Sequence, residues 1–208
     1  MIRLVLLSFS LLFGFIACNE KPNLPIIGPR EVITLEDGSK DTLYHSIPEF
    51  SFLDQDSQYV SLENLKGKYV VADFFFTTCP SICPIMKSQM LRVYEEYGGR
   101  DDFIIVSHSI DPEHDTVAVL REYAGRLGVP SDNWRFLTGD LEDILELAQK
   151  GYLVSAAEDS TAPGGFIHSG AFILLDQQQR IRGYYDGTKE LQVDLLIKDL
   201  NGLLSAES

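Results

Sequence analysis

A chain of 208 residues is long enough for one domain of ordinary size, and its 45% hydrophobic and 11% aromatic residues exclude an intrinsically disordered chain. Its 31 acidic against 17 basic side chains give a net charge of −14, which argues against nucleic acid and anionic lipid as partners. We therefore expect one compact domain with an acidic surface.

The N-terminal segment has the features of an export signal. Arg3 precedes an apolar run that is shorter than the roughly 20 residues needed to span a bilayer and that fits a secretory signal. Ala17 before Cys18 resembles a bacterial lipoprotein cleavage box, in which the cysteine is acylated, although Phe15 departs from it and leaves plain cleavage or an uncleaved anchor as alternatives. We expect residues 1–17 to be a lipoprotein signal peptide and Cys18 to carry the lipid. The exported protein would then be anchored to the membrane of the bacterial cell envelope, facing the periplasm.

Residues 18–47 are rich in proline, glycine and charge, and they predict a tether with a weak hairpin signal at "TLEDGSKDTL". The domain itself is expected over residues 48–204. It opens with two short strands and a turn in "EFSFLDQDSQYVSLENL". The continuous apolar run "KGKYVVADFFF" follows and predicts a strand buried on both faces.

Helices and strands alternate after this strand. Apolar residues at helical spacing predict a helix that ends at "GG", namely Ile85, Met86, Met90, Val93, Tyr94 and Tyr97. Next come a strand "FIIVSHSI", a helix over 116–127 opened by Asp115, a strand "WRFL" and a helix over 141–150. After the polar loop "SAAEDSTAPGG", the chain predicts a hairpin of "AFILLD" and "RIRGYYD" and a final helix over 189–204.

This order predicts crossover units and a mainly parallel sheet, to which the last hairpin adds antiparallel strands. The expected fold class is α/β. It is a thioredoxin-like three-layer fold with a central mixed sheet flanked by helices, an N-terminal hairpin and an inserted loop before the strand that bears His168.

The stretch "DFFFTTCPSICPIM" places Cys79 and Cys83 four residues apart, directly behind the buried strand. If a helix begins near Ser81, the two sulfurs can approach on one side of one helical turn, at a Cα separation within the roughly 4.4–6.8 Å that a disulfide tolerates. A helix N-terminus also favours thiolate over thiol. The pair is therefore predicted to be reactive sulfur, because an inert disulfide closing so short a loop would stabilise the fold only modestly.

Reactive thiols at this spacing serve either thiol–disulfide exchange or a soft metal such as Cu(I), and a third ligand would decide between them. The chain offers four histidines. His45 falls in the tether, His108 in a strand and His114 in an acidic loop, positions more typical of surface or core histidines. His168 follows a flexible loop immediately before a strand, which in a thioredoxin-like sheet lies close to the cysteine turn.

Three motifs in order, "FFFTTCPSICPIM", "SIDPEHDT" and "HSGAFILLD", resemble the Sco/SenC family of copper chaperones over about residues 48–204. The resemblance implies a thioredoxin-like fold that binds one copper ion, Cu(I) or Cu(II), through Cys79, Cys83 and His168. It also implies delivery to the dinuclear copper A centre of cytochrome c oxidase, with the copper-bearing subunit of the oxidase as partner and other copper carriers as further partners. Asp111 and Asp115 would cap a helix or shape the site rather than bind metal.

Several residues near the site depart from the family pattern. Ser81 stands where many members have an acidic residue, and Thr78 where a basic residue or histidine is usual. Asp73 stands on the buried strand where the family usually has an aromatic or aliphatic residue, and it is either a proton relay to a thiol or a hydrogen-bonded strand residue. Met86 and Met90 could be soft ligands, but methionine at helical spacing is more typical of a core.

The sequence is therefore compatible with two functions. The first is a copper-binding assembly factor rather than an enzyme. The second is a thiol–disulfide oxidoreductase in which Cys79 attacks, Cys83 resolves through a redox-active disulfide, and Asp73 assists, reducing the cysteines of an apo-oxidase subunit or of another extracytoplasmic protein. "HSGAF" stands where thioredoxins have a substrate-binding proline, which favours metal. A peroxidase is a weaker third reading, because no arginine partner can be assigned.

Overall fold

A computed structural model describes residues 24–129 and 132–205. The strands in this part of the chain are β1 Arg30–Thr34, β2 Lys40–Tyr44, β3 Ser51–Asp54, β4 Tyr59–Ser61, β5 Tyr69–Phe75, β6 Phe103–Ser109, β7 Trp134–Thr138, β8 Ala156–Glu158, β9 Phe166–His168, β10 Ala171–Leu175 and β11 Ile181–Asp186. The helices are α1 Leu62–Leu65, α2 Cys83–Tyr97, α3 Val117–Leu127, α4 Leu141–Glu146, continued by a π-helical turn Leu147–Gly151, and α5 Glu190–Ser205.

A seven-stranded mixed sheet in the order β11-β10-β5-β6-β7-β3-β4 forms the centre of the fold. The pairings β5–β6 and β6–β7 are parallel. The pairings of β10 with β11 and β5, and of β3 with β4 and β7, are antiparallel. The mixed α/β sheet with flanking helices is confirmed, but the expectation of a mainly parallel sheet is wrong. The reason is that the hairpins β3–β4 and β10–β11 add their strands to the two edges of a short parallel centre formed by β5, β6 and β7.

Strand β5 positions the site because it runs through the middle of the sheet. All seven of its residues are buried, as its continuous apolar run predicts for a strand covered on both faces. Its parallel neighbour β6 is equally buried over its whole length. The chain leaves the end of β5 at Phe75, passes through the cysteine turn, and returns to β6 by way of helix α2.

Helix α2 covers the sheet with one apolar stripe. Its buried residues recur at helical spacing and are Cys83, Met86, Lys87, Met90, Val93 and Tyr97. Met86 and Met90 are 1% and 0% exposed, so they belong to the core as their spacing predicts. Ile85, which the helical pattern also included, is 49% exposed and lies off the stripe.

The first described residues form a small sheet of their own. Strands β1 and β2 pair antiparallel in a separate two-stranded sheet, as the hairpin signal predicts. Ile27 makes an isolated bridge to Ile181 and so joins this region to the sheet edge. Cys18 and the expected signal peptide lie outside the described residues. Within residues 24–129 and 132–205, the helices are too short or too polar to cross a membrane.

The polar segment before His168 contains a small hairpin that its sequence does not predict. Strands β8 and β9 pair antiparallel over three residues each, with Ala156 opposite His168. Gly164 and Gly165 between them have φ of 86° and 84°, a conformation that residues with a side chain rarely adopt. The hairpin folds against the cysteine turn through a ring contact between Phe166 and Phe76, whose centroids lie 5.6 Å apart.

Candidate metal centre

Cys79 and Cys83 lie where strand β5 gives way to helix α2. The backbone N–H of Cys79 donates to the carbonyl of Phe76 at 3.2 Å and holds the turn. Cys83 is the first residue of α2, and Pro84 behind it suits the first turn of a helix. The helix thus begins two residues after Ser81, where the sequence predicts its start. Both cysteines are free thiols, and they are 8% and 4% exposed, respectively.

His168 completes the group from the end of strand β9. Its ring lies edge-on to the ring of Phe76, with centroids 6.1 Å apart. Its Nε2 lies 3.4 Å from the Sγ of Cys83. The donor atoms of Cys79, Cys83 and His168 all lie within 4.8 Å of one another, so a single metal ion could contact all three. The three predicted ligand residues are therefore brought together.

The imidazole of His168 is oriented for ligation. Its Nδ1 lies 3.1 Å from the carbonyl oxygen of Ser169. A carbonyl only accepts, so Nδ1 carries the proton and Nε2 presents its lone pair toward Cys83. Burial lowers the pKa of His168, although the Ser169 carbonyl and the charge of Asp73 oppose this effect. The ring is therefore neutral at neutral pH, as a metal ligand must be.

The two thiols differ in acidity. Burial opposes ionisation of Cys79, but hydrogen bonds from the thiol and backbone N–H of Cys83 and from the hydroxyl and backbone N–H of Ser81 outweigh it and lower the pKa of Cys79. Burial, followed by the hydrogen bond to Cys79, raises the pKa of the Cys83 thiol. The predicted preference for the thiolate is therefore met at Cys79, which lies four residues before the helix, whereas burial outweighs it at Cys83. Cys79 is the readier nucleophile of the two.

We expect iodoacetamide to alkylate Cys79 faster than Cys83 in the reduced protein at neutral pH. Because its lowered pKa keeps the thiolate populated at lower pH, the rate at Cys79 should reach half its maximum at a lower pH than for free cysteine. Peptide mass spectrometry over a pH series measures both rates. Ser81→Ala removes one hydrogen bond to Cys79 and should move the half-maximal pH upward. Equal rates at the two cysteines would show that the asymmetry is absent.

Asp73 faces the site from strand β5 and is 1% exposed. Its Oδ1 accepts a hydrogen bond from the hydroxyl of Ser107 at 2.5 Å, and this hydroxyl accepts from the indole N–H of Trp134 at 3.0 Å. These contacts support the interpretation of Asp73 as a hydrogen-bonded strand residue. Its charge also contributes to the raised pKa of Cys83, behind burial and the bond to Cys79. A proton relay through Asp73 stays a hypothesis.

Asp115 ties the loop after strand β6 to the cysteine turn. It is fully buried, and it accepts from the backbone N–H of Thr77 at 2.9 Å, the hydroxyl of Ser109 at 2.6 Å, and the hydroxyl of Thr77. The Oδ1 of Asp115, which accepts from the Thr77 hydroxyl, also lies 3.0 Å from the Nδ1 of His114. The position that caps helix α3 is Thr116, so the expectation that Asp115 opens this helix is wrong. Asp115 shapes the turn that carries Cys79 instead.

The other candidate ligands lie elsewhere. The Nε2 of His45 lies 2.7 Å from the carbonyl of Gly151. His108 is buried, stacks on Phe74, and lies 3.1 Å from the hydroxyl of Tyr152. Together with His114 beside Asp115, these histidines are held by other partners, as their sequence positions suggest. Among the described residues, His168 is the histidine that joins the thiols.

Lys87 is a residue near the site to which the sequence pattern assigns no role. It is 5% exposed, although lysine in a helix is normally solvated. A signal was present in the spacing, since Lys87 follows Cys83 by four residues and lies between Met86 and Met90 on the same stripe. Lys87 lines one cleft with Cys79 and Cys83, which together with the neutral imidazole of His168 form a donor set that suits a soft metal ion.

The comparisons with known proteins agree on one family. The SCO1/SenC family model matches residues 39–205. A SCO1/SenC family lipoprotein from Bacillus anthracis has 30% identity and a TM-score of 0.69, over 77% of this chain and 95% of that one. BsSco, described as a member of the Sco family of cytochrome c oxidase assembly proteins with a disulfide switch, has 32% identity and a TM-score of 0.67, over 76% and 93%. Arabidopsis thaliana ScoI, solved with copper bound, has 27% identity and a TM-score of 0.59, over 74% and 97%.

Proposed function

Because this chain belongs to the SCO1/SenC family, we propose that it is a copper-binding factor of cytochrome c oxidase assembly. In this proposal Cys79, Cys83 and His168 bind one copper ion as cargo. The protein then passes this ion to the dinuclear copper A centre of the oxidase.

One observation carries the proposal. Three donor atoms from two separate parts of the chain converge within 4.8 Å, although His168 is 85 residues away from Cys83. The histidine presents a lone pair at Nε2, and two thiolates with an imidazole suit Cu(I). When the site is loaded, each thiol gives up its proton as its bond to the metal forms. Copper bound to the related Arabidopsis protein supports copper as the metal.

Delivery requires that the ion can leave as well as bind. The site lies where the buried strand β5 ends, and His168 is held by a hairpin of two three-residue strands rather than by the central sheet. Movement of this hairpin would remove one ligand while the central sheet stays in place. A partner that offers its own thiolates could then take the ion from Cys79 and Cys83 in steps.

We also propose that the protein acts outside the cytoplasm as a lipoprotein anchored through Cys18. The export signal in residues 1–17 supports this location. The similar Bacillus anthracis protein is described as a lipoprotein. The residues that follow Cys18 would hold the domain at the membrane surface, where the copper-bearing subunit of the oxidase is assembled.

A thiol–disulfide oxidoreductase is the second candidate, and the acidity difference between the thiols favours it. Cys79 has the lowered pKa of an attacking thiol, and Cys83 retains its proton until a mixed disulfide must be resolved. In that reaction the thiolate of Cys79 attacks a client disulfide. The sulfur of Cys83 then displaces the client as a thiolate and leaves the client reduced and Cys79–Cys83 oxidised.

Transfer of copper to a client protein distinguishes copper delivery from thiol–disulfide exchange. The protein is loaded with one equivalent of Cu(I) and mixed with the reduced, metal-free copper-bearing domain of an oxidase subunit, and the copper in each protein is measured after chromatographic separation. We expect copper to move to the oxidase domain, and loaded His114→Ala to behave as wild type.

The same client in its oxidised form, mixed with the reduced copper-free protein, tests the alternative. If copper stays on this protein while the client disulfide is reduced, the chaperone proposal is wrong and the oxidoreductase is supported. Free thiols in the client are counted by alkylation and mass spectrometry.

A further inference from the structure

Lys87 places a lysine amine in the interior of the protein. Its side chain lies on the apolar stripe of helix α2, one turn after Cys83, and is 5% exposed. Its Nζ is buried and has no hydrogen-bond partner among the described residues. Burying an unpaired ammonium is costly, and apolar side chains of similar size would fill the same space. The fold alone gives no reason for a lysine here.

Four aromatic rings surround the Lys87 ammonium. Its Nζ lies 4.5 Å from the ring centroid of Phe75, 4.9 Å from those of Trp134 and Phe136, and 5.4 Å from that of Tyr123. Rings at such distances attract a cation through the negative charge of their faces, most strongly where water is excluded. The rings come from β5, α3 and β7, so the position of the ammonium is fixed by three elements.

The charged groups that act on Lys87 belong to the metal centre. Burial lowers the pKa of Lys87, while the charges of Asp73 and Cys83 oppose this effect by attraction. Lys87 and both cysteines also line one cleft of about 350 Å³. On the other side, the ring of Trp134 connects the cage to Asp73, because its indole N–H donates to Ser107, which donates to the carboxylate.

We propose that Lys87 is a positioning residue of the metal centre, whose caged ammonium offsets the negative charge that the site acquires when both thiols bind Cu(I). This inference rests on the proposed function. As two bonds from sulfur to copper form, two protons leave to solvent. Two thiolates, one Cu(I) and one neutral imidazole then sum to a charge of about −1, beside the carboxylate of Asp73. Lys87 supplies the positive charge that a buried anionic complex needs.

Lys87→Met removes the charge and retains an apolar chain of similar length. We expect the dissociation constant for Cu(I), measured by competition with a chelator of known affinity, to rise about tenfold, as expected for a charge removed from within one helical turn of a thiolate in the protein interior. The thermal midpoint of the copper-free variant should rise, because an unpaired buried charge is gone. Lys87→Gln, which is also neutral, should weaken binding similarly. Lys150→Met, at an exposed lysine in the described part of the chain, should change neither quantity.

Lys87→Met is expected to weaken Cu(I) binding and to raise the thermal midpoint. These opposite effects distinguish a residue that positions charge at the metal centre from one that merely stabilises the fold. If Lys87→Met loses copper affinity and thermal stability together, Lys87 is a structural residue and the inference is wrong. If both neutral variants bind Cu(I) as tightly as wild type does, the inference is wrong while the proposed function stands. If wild type itself does not bind Cu(I) tightly, the proposed function fails, and this inference fails with it.

Discussion

Cys83→Ser is expected to abolish stoichiometric binding of Cu(I). Serine retains the shape of the side chain at the start of α2 but replaces a soft thiolate with a hydroxyl that does not ionise near neutral pH. The loss should exceed the roughly 10- to 100-fold that follows when a group supporting a metal ligand is removed. Cys79→Ser should behave in the same way, and both are measured as copper per chain under a competing chelator.

His168 and His114 both lie near the cysteine turn, and their alanine variants form a matched pair that tests which residues bind copper. His168→Ala removes the Nε2 that lies 3.4 Å from Cys83, and it should weaken binding while leaving the thiols in place. His114→Ala removes an imidazole that lies beside Asp115 and outside the ligand group, and it should leave affinity unchanged. Retention of wild-type affinity in Cys83→Ser, or an equal loss in the two histidine variants, would contradict the assignment of ligands.

Asp115→Ala is expected to lower the free energy of unfolding by about 3 kcal/mol, because its buried carboxylate leaves several donors without a partner when removed. Those donors include the backbone N–H of Thr77, two residues before Cys79, and the hydroxyl of Ser109. The cysteine turn should therefore loosen, and the affinity for Cu(I) should fall by roughly 10- to 100-fold. Urea denaturation and chelator competition measure the two effects.

Asp111→Ala is the matched control for Asp115→Ala, because it removes a nearby carboxylate that accepts one long hydrogen bond. Asp111 accepts only from the backbone N–H of His114, at 3.4 Å, among the side-chain hydrogen bonds of the described residues. We expect near-normal stability and copper binding for this variant. If Asp115→Ala were as stable and as tightly binding as Asp111→Ala, the account of Asp115 as the support of the turn would be wrong.

The central sheet could be predicted from sequence because its strands are continuous apolar runs. Strands β5 and β6 are buried along their whole length, and such runs are typical of strands covered on both faces. How many strand pairs of this sheet are parallel could not be predicted in the same way. Neighbours in a sheet depend on how distant hairpins dock at its edges, and nothing in a single strand encodes this.

The convergence of Cys79, Cys83 and His168 could be predicted, but the contacts that support it could not. Cys79, Cys83 and His168 are rare residue types at informative positions. The small hairpin β8–β9 lies in a polar segment without alternation and is held by its pairing and by the contact of Phe166 with Phe76. The acidity difference between the thiols depends on which thiol donates to the other, and this requires coordinates.

Lys87 shows the limit of reading a helix from its apolar periodicity. A lysine within an apolar stripe is normally taken as a residue at the edge of the stripe whose amine reaches water. Here the rings that enclose the amine come from β5, α3 and β7 and not from the helix itself. Its burial therefore depends on contacts between elements as well as on its position in the stripe.

X-ray absorption at the copper edge of protein loaded with one Cu(I) per chain tests the three-ligand copper site directly. A mononuclear site of Cys79, Cys83 and His168 predicts two sulfur donors and one nitrogen donor per copper, with the nitrogen lost in His168→Ala. Sulfur donors alone in the wild-type protein, or scattering from a second copper, would contradict a three-ligand site in a single chain.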